Sequence, residues 1–274
     1  MTRVSTAGQT QLLLDTLLRN QERQAKLQIQ VATLRTSSDF KGIARDTVTL
    51  LGARELEART QQFLDGNAVL EQRLGTYNLT LQRLADIAQT LRQDVIKAIE
   101  SNSAVALMDK VNAGFEDAAA MLNTRVDGQY IFAGTRTDKA PVNVTTPAAL
   151  LGLAQTADAF DNNDLKVQTR ISDNTVKEYG ILADDIATQL LDSFRRIMQF
   201  NAGTLPAGAG AFAPAAAFQS PLPKNQQDFL IAELATIQAA FDTLNQEVAK
   251  NGVHLQLVAE TQERHRDDLL FTRT

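Results

Sequence analysis

The chain has 274 residues, a formal net charge of −5, no cysteine and no tryptophan. The lack of cysteine excludes disulfide bonds, thiolate zinc sites and cysteine nucleophiles. No basic stripe of the kind that follows a nucleic-acid backbone is present, and no apolar run approaches the roughly 18–20 residues that span a bilayer. We therefore expect neither a nucleic-acid partner nor membrane insertion.

The composition favours helices that pack along narrow seams. Hydrophobic residues make up 44% of the chain but aromatic residues only 5%, whereas wide globular cores usually contain more aromatic side chains. Residues 1–20 lack the charged segment, apolar segment and small-residue cleavage site of a secretory signal peptide. The general secretory route is therefore not the expected one.

The first predicted helix covers residues 11–34 and carries an apolar stripe in one heptad register. The stripe consists of Leu13, Leu17, Leu27, Val31 and Leu34. Capping-type residues and Gly42 then indicate a break at 36–42. A second helix is predicted to begin near Ala44.

The clearest apolar repeat in the first half of the chain covers residues 63–98, where apolar side chains recur at alternating spacings of four and three. Such spacing is typical of a coiled-coil seam. The predicted seam residues are Leu70, Leu74, Tyr77, Leu81, Leu84, Leu91 and Val95. Polar residues at 101–103 end this helix and the apolar period resumes at Met108, which predicts an antiparallel helical hairpin.

After Arg125 the helical period stops. Asp127 and Gly128 indicate a turn, and residues 129–134 are predicted to form a short strand. Alternating apolar and polar residues over 165–171 predict a half-buried strand. Residues 135–182 are therefore expected to form a small, mostly β insertion. A helix over 184–200 and an Ala/Gly/Pro-rich loop over 201–223 are predicted to follow.

The last run, residues 225–274, is the longest predicted helix and would extend roughly 70 Å at 1.5 Å per residue. Its predicted seam consists of Leu230, Leu234, Ile237, Phe241, Leu244, Val248, Leu255 and Val258. Asn251, Gln262 and His265 interrupt the apolar alternation. We expect this helix to pack along residues 63–98 in one slender bundle.

The sequence contains no recognisable catalytic or metal-binding constellation. The two histidines, His254 and His265, are separated by roughly 16 Å along one predicted helix, which is too far to share a metal ion. Gly208 and Gly210 lie in a loop rather than at a strand-to-helix turn, so they do not form a phosphate cradle. We predict a protein that is not an enzyme and that binds no cofactor and no metal.

Residues 127–135 read Asp-Gly-Gln-Tyr-Ile-Phe-Ala-Gly-Thr. This segment resembles the "(D/N)G-x-YIFAG" motif of the bacterial flagellar hook–filament junction family, hook-associated protein three, which is related to flagellin. In that family the motif also follows a long helical hairpin. The matching residues are Gly128, Tyr130, Ile131, Phe132, Ala133 and Gly134. In order, length and helix pattern, the resemblance covers nearly the whole chain.

The resemblance implies a mainly α fold, an elongated coiled-coil-like helical rod with a small inserted β-rich module. The expected domains are an N-terminal assembly helix (1–43), the first part of the rod (44–134), the inserted module (135–182), a helix and loop (183–224) and the long C-terminal rod helix (225–274). It also implies assembly contacts through the leucine stripe of the first helix. A further amphipathic helix is expected after Thr274.

The resemblance further implies a structural protein of the bacterial flagellum, exported through the flagellar type III system and located outside the cell. Its expected partners are other copies in a ring, a neighbouring hook-associated protein, flagellin and an export chaperone. Two alternatives stay open. Filament flagellin would polymerise alone into long filaments, whereas an unrelated coiled-coil interaction protein, such as a secretion-needle tip protein, would need no hook or filament partner.

Overall fold

The computed structural model describes residues 3–33, 47–204 and 217–273. By its contacts the chain divides into two compact units, residues 1–59 and residues 60–274. The predicted break at 36–42, the predicted helix start near Ala44, the stripe residue Leu34 and residues 205–216 of the predicted loop lie outside the described residues.

The described residues form mainly α-helices, as predicted. The helices are α1 (Arg3–Thr33), α2 (Thr47–Glu100), α3 (Leu107–Leu122), α4 (Pro147–Leu151), α5 (Ala183–Ala202) and α6 (Lys224–Arg273). The strands are β1 (Arg125–Val126), β2 (Gln129–Tyr130), β3 (Gln168–Ser172) and β4 (Thr175–Glu178), and a short 3-10 helix covers Thr156–Ala159.

In the larger unit, α6 runs antiparallel to α2. The backbone N–H of Leu222, just before α6, donates to the carbonyl of Asn102, just after α2, over 3.2 Å. Forty residues further along the chain, Gln262 Nε2 of α6 lies 3.1 Å from Glu71 Oε2, which comes earlier in α2. Residue numbers therefore fall along one helix as they rise along the other.

Helices α3 and α5 also belong to the larger unit and contact its two long helices. The α2–α3 turn places Lys110 Nζ 2.6 Å from Asp94 Oδ1, so α3 returns alongside α2. The Phe115 and Phe194 rings join α3 to α5 edge to face at 6.2 Å. Gly203 ends α5 in the left-handed conformation with φ of 68°, where glycine has no Cβ to clash.

The prediction of a mostly β module was too strong. Within residues 135–182 the only named strands of the described structure are β3 and β4, which pair antiparallel. Pro147 instead begins the short helix α4, because Thr146 accepts a hydrogen bond from the Ala149 N–H over 3.4 Å and caps the helix. The predicted strand 129–134 was also too long, because β2 ends at Tyr130. In the remainder of that predicted strand, an isolated bridge joins Ala133 to Leu182.

Candidate assembly interface

The apolar stripe of α1 lies on the surface of the smaller unit. Every side chain from residue 8 to residue 33 is exposed except that of Gln30, which is half-buried. The exposed fractions of the predicted stripe are 66% for Leu13, 56% for Leu17, 52% for Leu27 and 75% for Val31. Exposed apolar area on this scale is typical of a surface that binds another protein. Leu34, the fifth predicted stripe residue, lies outside the described residues.

The predicted seam residues lie in the core of the larger unit. Those that are buried are Leu70, Leu74, Tyr77, Leu81, Leu84, Leu91, Val95, Leu230, Ile237, Leu244 and Val258. Those that are half-buried and pack against this core are Leu234, Phe241, Val248 and Leu255. The structure thus brings the seam residues of α2 and α6 into one hydrophobic cluster.

The resemblance motif begins in the β1–β2 hairpin. Its two turn residues, Asp127 and Gly128, have φ of 52° and 78°, as a two-residue type I′ turn requires. The Arg125 guanidinium lies 4.1 Å from the centre of the Tyr130 ring and donates a hydrogen bond to the Tyr130 hydroxyl. Tyr130 is therefore held at the hairpin rather than in the core.

The middle of the motif is buried against α2. Ile131, Phe132 and Ala133 are buried, with Phe132 fully so. The Tyr77 hydroxyl of α2 donates to the Ile131 carbonyl, and the Tyr77 ring meets the Phe132 ring edge to face at 5.2 Å. Burial raises the pKa of the Tyr77 hydroxyl, which further favours the neutral form that donates this hydrogen bond.

The end of the motif lies where the chain enters the module and later returns. Gly134 has φ of 69°, and a Cβ there would lie 2.7 Å from the Leu165 carbonyl oxygen. On the returning segment, a Cβ at Gly180 would lie 2.4 Å from the Val167 backbone nitrogen. The backbones approach this closely because both positions are glycine.

Asn163 lies where the chain enters and leaves the module, and its contacts there were not predicted from the sequence. Its Oδ1 accepts from the Thr135 N–H over 3.0 Å and its Nδ2 donates to Thr135 Oγ1 over 2.6 Å. Asn163 sits 28 residues from Thr135 in an irregular segment. No periodicity or turn signal in the sequence marks that pairing.

The most buried ion pair of the described residues joins α5 to α6. Arg196 Nη2 lies 2.7 Å from Glu233 Oε1, with 2% of the Glu233 side chain exposed. Burial raises the pKa of Glu233 more than Arg196 lowers it. Burial has the opposite effect on His254, because it disfavours the charged imidazolium and so lowers the pKa. The positive charge of Lys177 lowers the pKa of His254 further.

The described residues contain no group of three or more His, Cys, Asp or Glu side chains that could hold a metal ion. An open groove of about 620 Å³ between α2 and α3 is lined by both apolar and charged side chains and by no histidine. Within the described ranges no helix is long and apolar enough to cross a membrane.

Comparison with known proteins reveals similarity in structure rather than in sequence. No family model matches the chain, and no curated protein sequence matches it. A solved chain from Vibrio parahaemolyticus, described as a flagellar hook-associated protein, superposes with a TM-score of 0.67 at 13% identity, covering 86% of this chain and 97% of that one. FlgL of Bacillus cereus superposes with a TM-score of 0.61 at 10% identity, covering 84% of this chain and 99% of that one.

This chain has the fold of flagellar hook-associated proteins. The resemblance that residues 127–135 predicted is thereby confirmed in the fold. Both neighbours are covered almost completely, and at least 84% of this chain takes part in each superposition.

Proposed function

We propose that this protein is a structural component of the bacterial flagellum and joins hook to filament as a hook-associated junction protein. The observation that carries the proposal is the superposition of the larger part of the chain on nearly the full length of two flagellar proteins. The junction role draws on the sequence motif at residues 127–135 and on the likeness to FlgL. The proposed role is structural, not enzymatic.

Within this proposal each part of the chain has a mechanical task. Helices α2 and α6, packed along a seam of buried leucines, form a coiled-coil-like rod that transmits load. The inserted module, residues 135–182, faces outward. The α1 stripe of Leu13, Leu17, Leu27 and Val31 packs against neighbouring copies in a ring.

The proposal includes a location and a set of partners. The protein leaves the cell unfolded through the flagellar type III channel, accompanied before export by a chaperone, and folds at the tip of the growing hook. Its neighbours there are copies of itself, another hook-associated protein on the hook side and flagellin on the filament side. A stripe this apolar, left without a partner, favours association over persistence as a lone helix.

Deletion of the gene followed by electron microscopy tests the proposal. We expect hooks without attached filaments and filament protein released into the medium, both restored by the wild-type gene. Filaments of normal number and length in the deletion strain would contradict the junction role. Long filaments formed by the purified protein alone would identify it instead as filament flagellin.

The assembly stripe is tested with matched charge substitutions. Leu13→Asp with Leu17→Asp is expected to abolish complementation, because charges in an apolar interface are costly to bury. Leu79→Asp with Val69→Asp is the control, since these α2 side chains are 60% and 52% exposed, close to the exposure of the stripe. Complementation by the stripe variant, or equal loss in both variants, would contradict a specific role of the stripe.

A further inference from the structure

Two polar residues that interrupt the apolar repeats of α2 and α6 converge on a single carbonyl of the inserted module. Asn67 Nδ2 of α2 donates to the Ile171 oxygen of β3 over 3.0 Å. His265 Nε2 of α6 lies 3.0 Å from the same oxygen. These partners are 104 and 94 residues from Ile171 in the sequence. The convergence ties one strand of the module to both long helices.

The Asn67 side of this tie is buried and the His265 side is half-buried. Asn67 and Ile171 are each 1% exposed, and the His265 ring stacks on Phe63 of α2 with centroids 5.5 Å apart and planes 11° apart. Because a carbonyl oxygen only accepts, His265 must carry its proton on Nε2. If both donors were lost, the buried Ile171 carbonyl would have no hydrogen-bond partner, which costs free energy. The two hydrogen bonds therefore favour the docked position of the strand.

The end of α6 has few buried apolar side chains. From residue 259 to residue 271 the buried side chains are Thr261, Gln262 and Leu269, two of them polar. Segments with few buried apolar contacts open most readily. The docked β3 strand therefore adds a long-range contact to the turns around His265.

We propose that the β3–β4 hairpin is a strap that holds the last turns of α6 against α2, and that Asn67 and His265 are its clasp. The strap couples the inserted module to the C-terminal end of the long helix. Since coupling between two sites is reciprocal, a partner that seats or lifts the hairpin changes the order of α6, and ordering of α6 seats the hairpin. The proposal rests on contacts within the larger unit and is independent of the flagellar role.

Hydrogen exchange measured by mass spectrometry on the full chain tests the strap. Asn67→Ala and His265→Phe, which keeps an aromatic ring on Phe63 but has no donor, are expected to raise exchange on the order of tenfold in both 168–178 and 259–271. His265→Gln, which restores a side-chain donor, is expected to return part of the protection in both segments.

Asn251→Ala is the matched control. Asn251 is also 1% exposed and also donates to a backbone carbonyl, but that carbonyl belongs to Leu74 of α2 and not to the module. Its exchange is expected to rise around residues 74 and 251 and to stay unchanged in 168–178. The control separates loss of the strap from general loosening of the α2–α6 pair.

Two results would overturn the proposal. One is faster exchange in the hairpin alone, with 259–271 as protected as in the wild type. The other is faster exchange near residues 63–67 and 265 with the hairpin unchanged. If Asn67→Ala does not fold, as judged by circular dichroism, the His265→Phe and His265→Gln pair decides between the same outcomes.

Discussion

The Asn251 side chain donates a 2.8 Å hydrogen bond to the carbonyl oxygen of Leu74, linking α6 to α2 across 177 residues of sequence. Leu74 is fully buried and Asn251 is 1% exposed. The Asn251 Oδ1 atom is also buried and has no hydrogen-bond partner within the described part of the chain. A polar residue held this way in an apolar stripe fixes which turns of two helices face each other, at some cost in stability.

Replacing Asn251 with leucine should raise stability. The substitution removes the unpartnered oxygen, and the Leu74 carbonyl remains in its own helix, so we expect the free energy of unfolding to rise by about 1 kcal/mol. Urea unfolding followed by circular dichroism measures the change. A fall of similar size would show that Asn251 stabilises the pair as well as setting its register.

Alanine should be severely destabilising at Gly134 and Gly180, the two glycines where the chain enters and leaves the module. Gly134→Ala combines a positive φ with a clash against the Leu165 carbonyl, and Gly180→Ala places a Cβ 2.4 Å from the Val167 nitrogen. We expect each to lower the free energy of unfolding by about 2–5 kcal/mol. Thermal unfolding of the purified variants tests this.

Two other glycines are the controls. Gly75 lies inside α2 with nothing within 4 Å of an added Cβ, so Gly75→Ala should stabilise by about 1 kcal/mol through helix propensity. Gly128→Ala meets no atom but keeps φ of 78°, so it should cost about 1–2 kcal/mol. Equal losses at all four glycines would contradict the close backbone approach at the module crossing.

The buried Glu233 should make stability depend on pH. Because burial raises the pKa of Glu233 above its ordinary value of 4.5, folding favours the protonated acid. This contribution is complete below about pH 4.5 and is lost as the pH rises through the raised pKa of the folded state. The difference in unfolding free energy between Glu233→Gln and the wild type should therefore increase in favour of the variant from pH 4.5 upward.

Arg196→Ala separates the partner from the acid. Removing the guanidinium leaves a carboxylate with a 2% exposed side chain, and we expect a loss of about 3–5 kcal/mol at pH 7. Urea titrations at several pH values give both quantities. A pH-independent difference for Glu233→Gln would mean that Arg196 fully compensates the burial of the charge.

The long helices could be predicted because their apolar periodicity is sustained over many turns. Residues 63–98 and 225–274 keep spacings of three and four with few interruptions, and no proline falls inside either segment. The helix over 184–200 was confirmed as α5, Ala183–Ala202. Asp184 and Asp185 lie in its first turn, where negative charges interact favourably with the helix dipole.

The interior of the module could not be predicted from local patterns. Residues 135–182 are held by long-range side-chain contacts, such as Asn123 Nδ2 to the Val142 carbonyl at 3.0 Å, and these leave no period in the sequence. The polar interruptions Asn251, Gln262 and His265 were visible as breaks in a stripe. What each of them bonds to depends on which segment lies opposite, and only the fold supplies that.

The measurement that bears most directly on the central claim is the location of the protein on intact flagella. The chain has no native cysteine, and Val105, in the turn between α2 and α3, is 81% exposed, so Val105→Cys allows specific maleimide labelling. We predict one labelled band per flagellum at the boundary between hook and filament. Label along the whole filament, or none on flagella from cells that express the variant, would contradict the assignment.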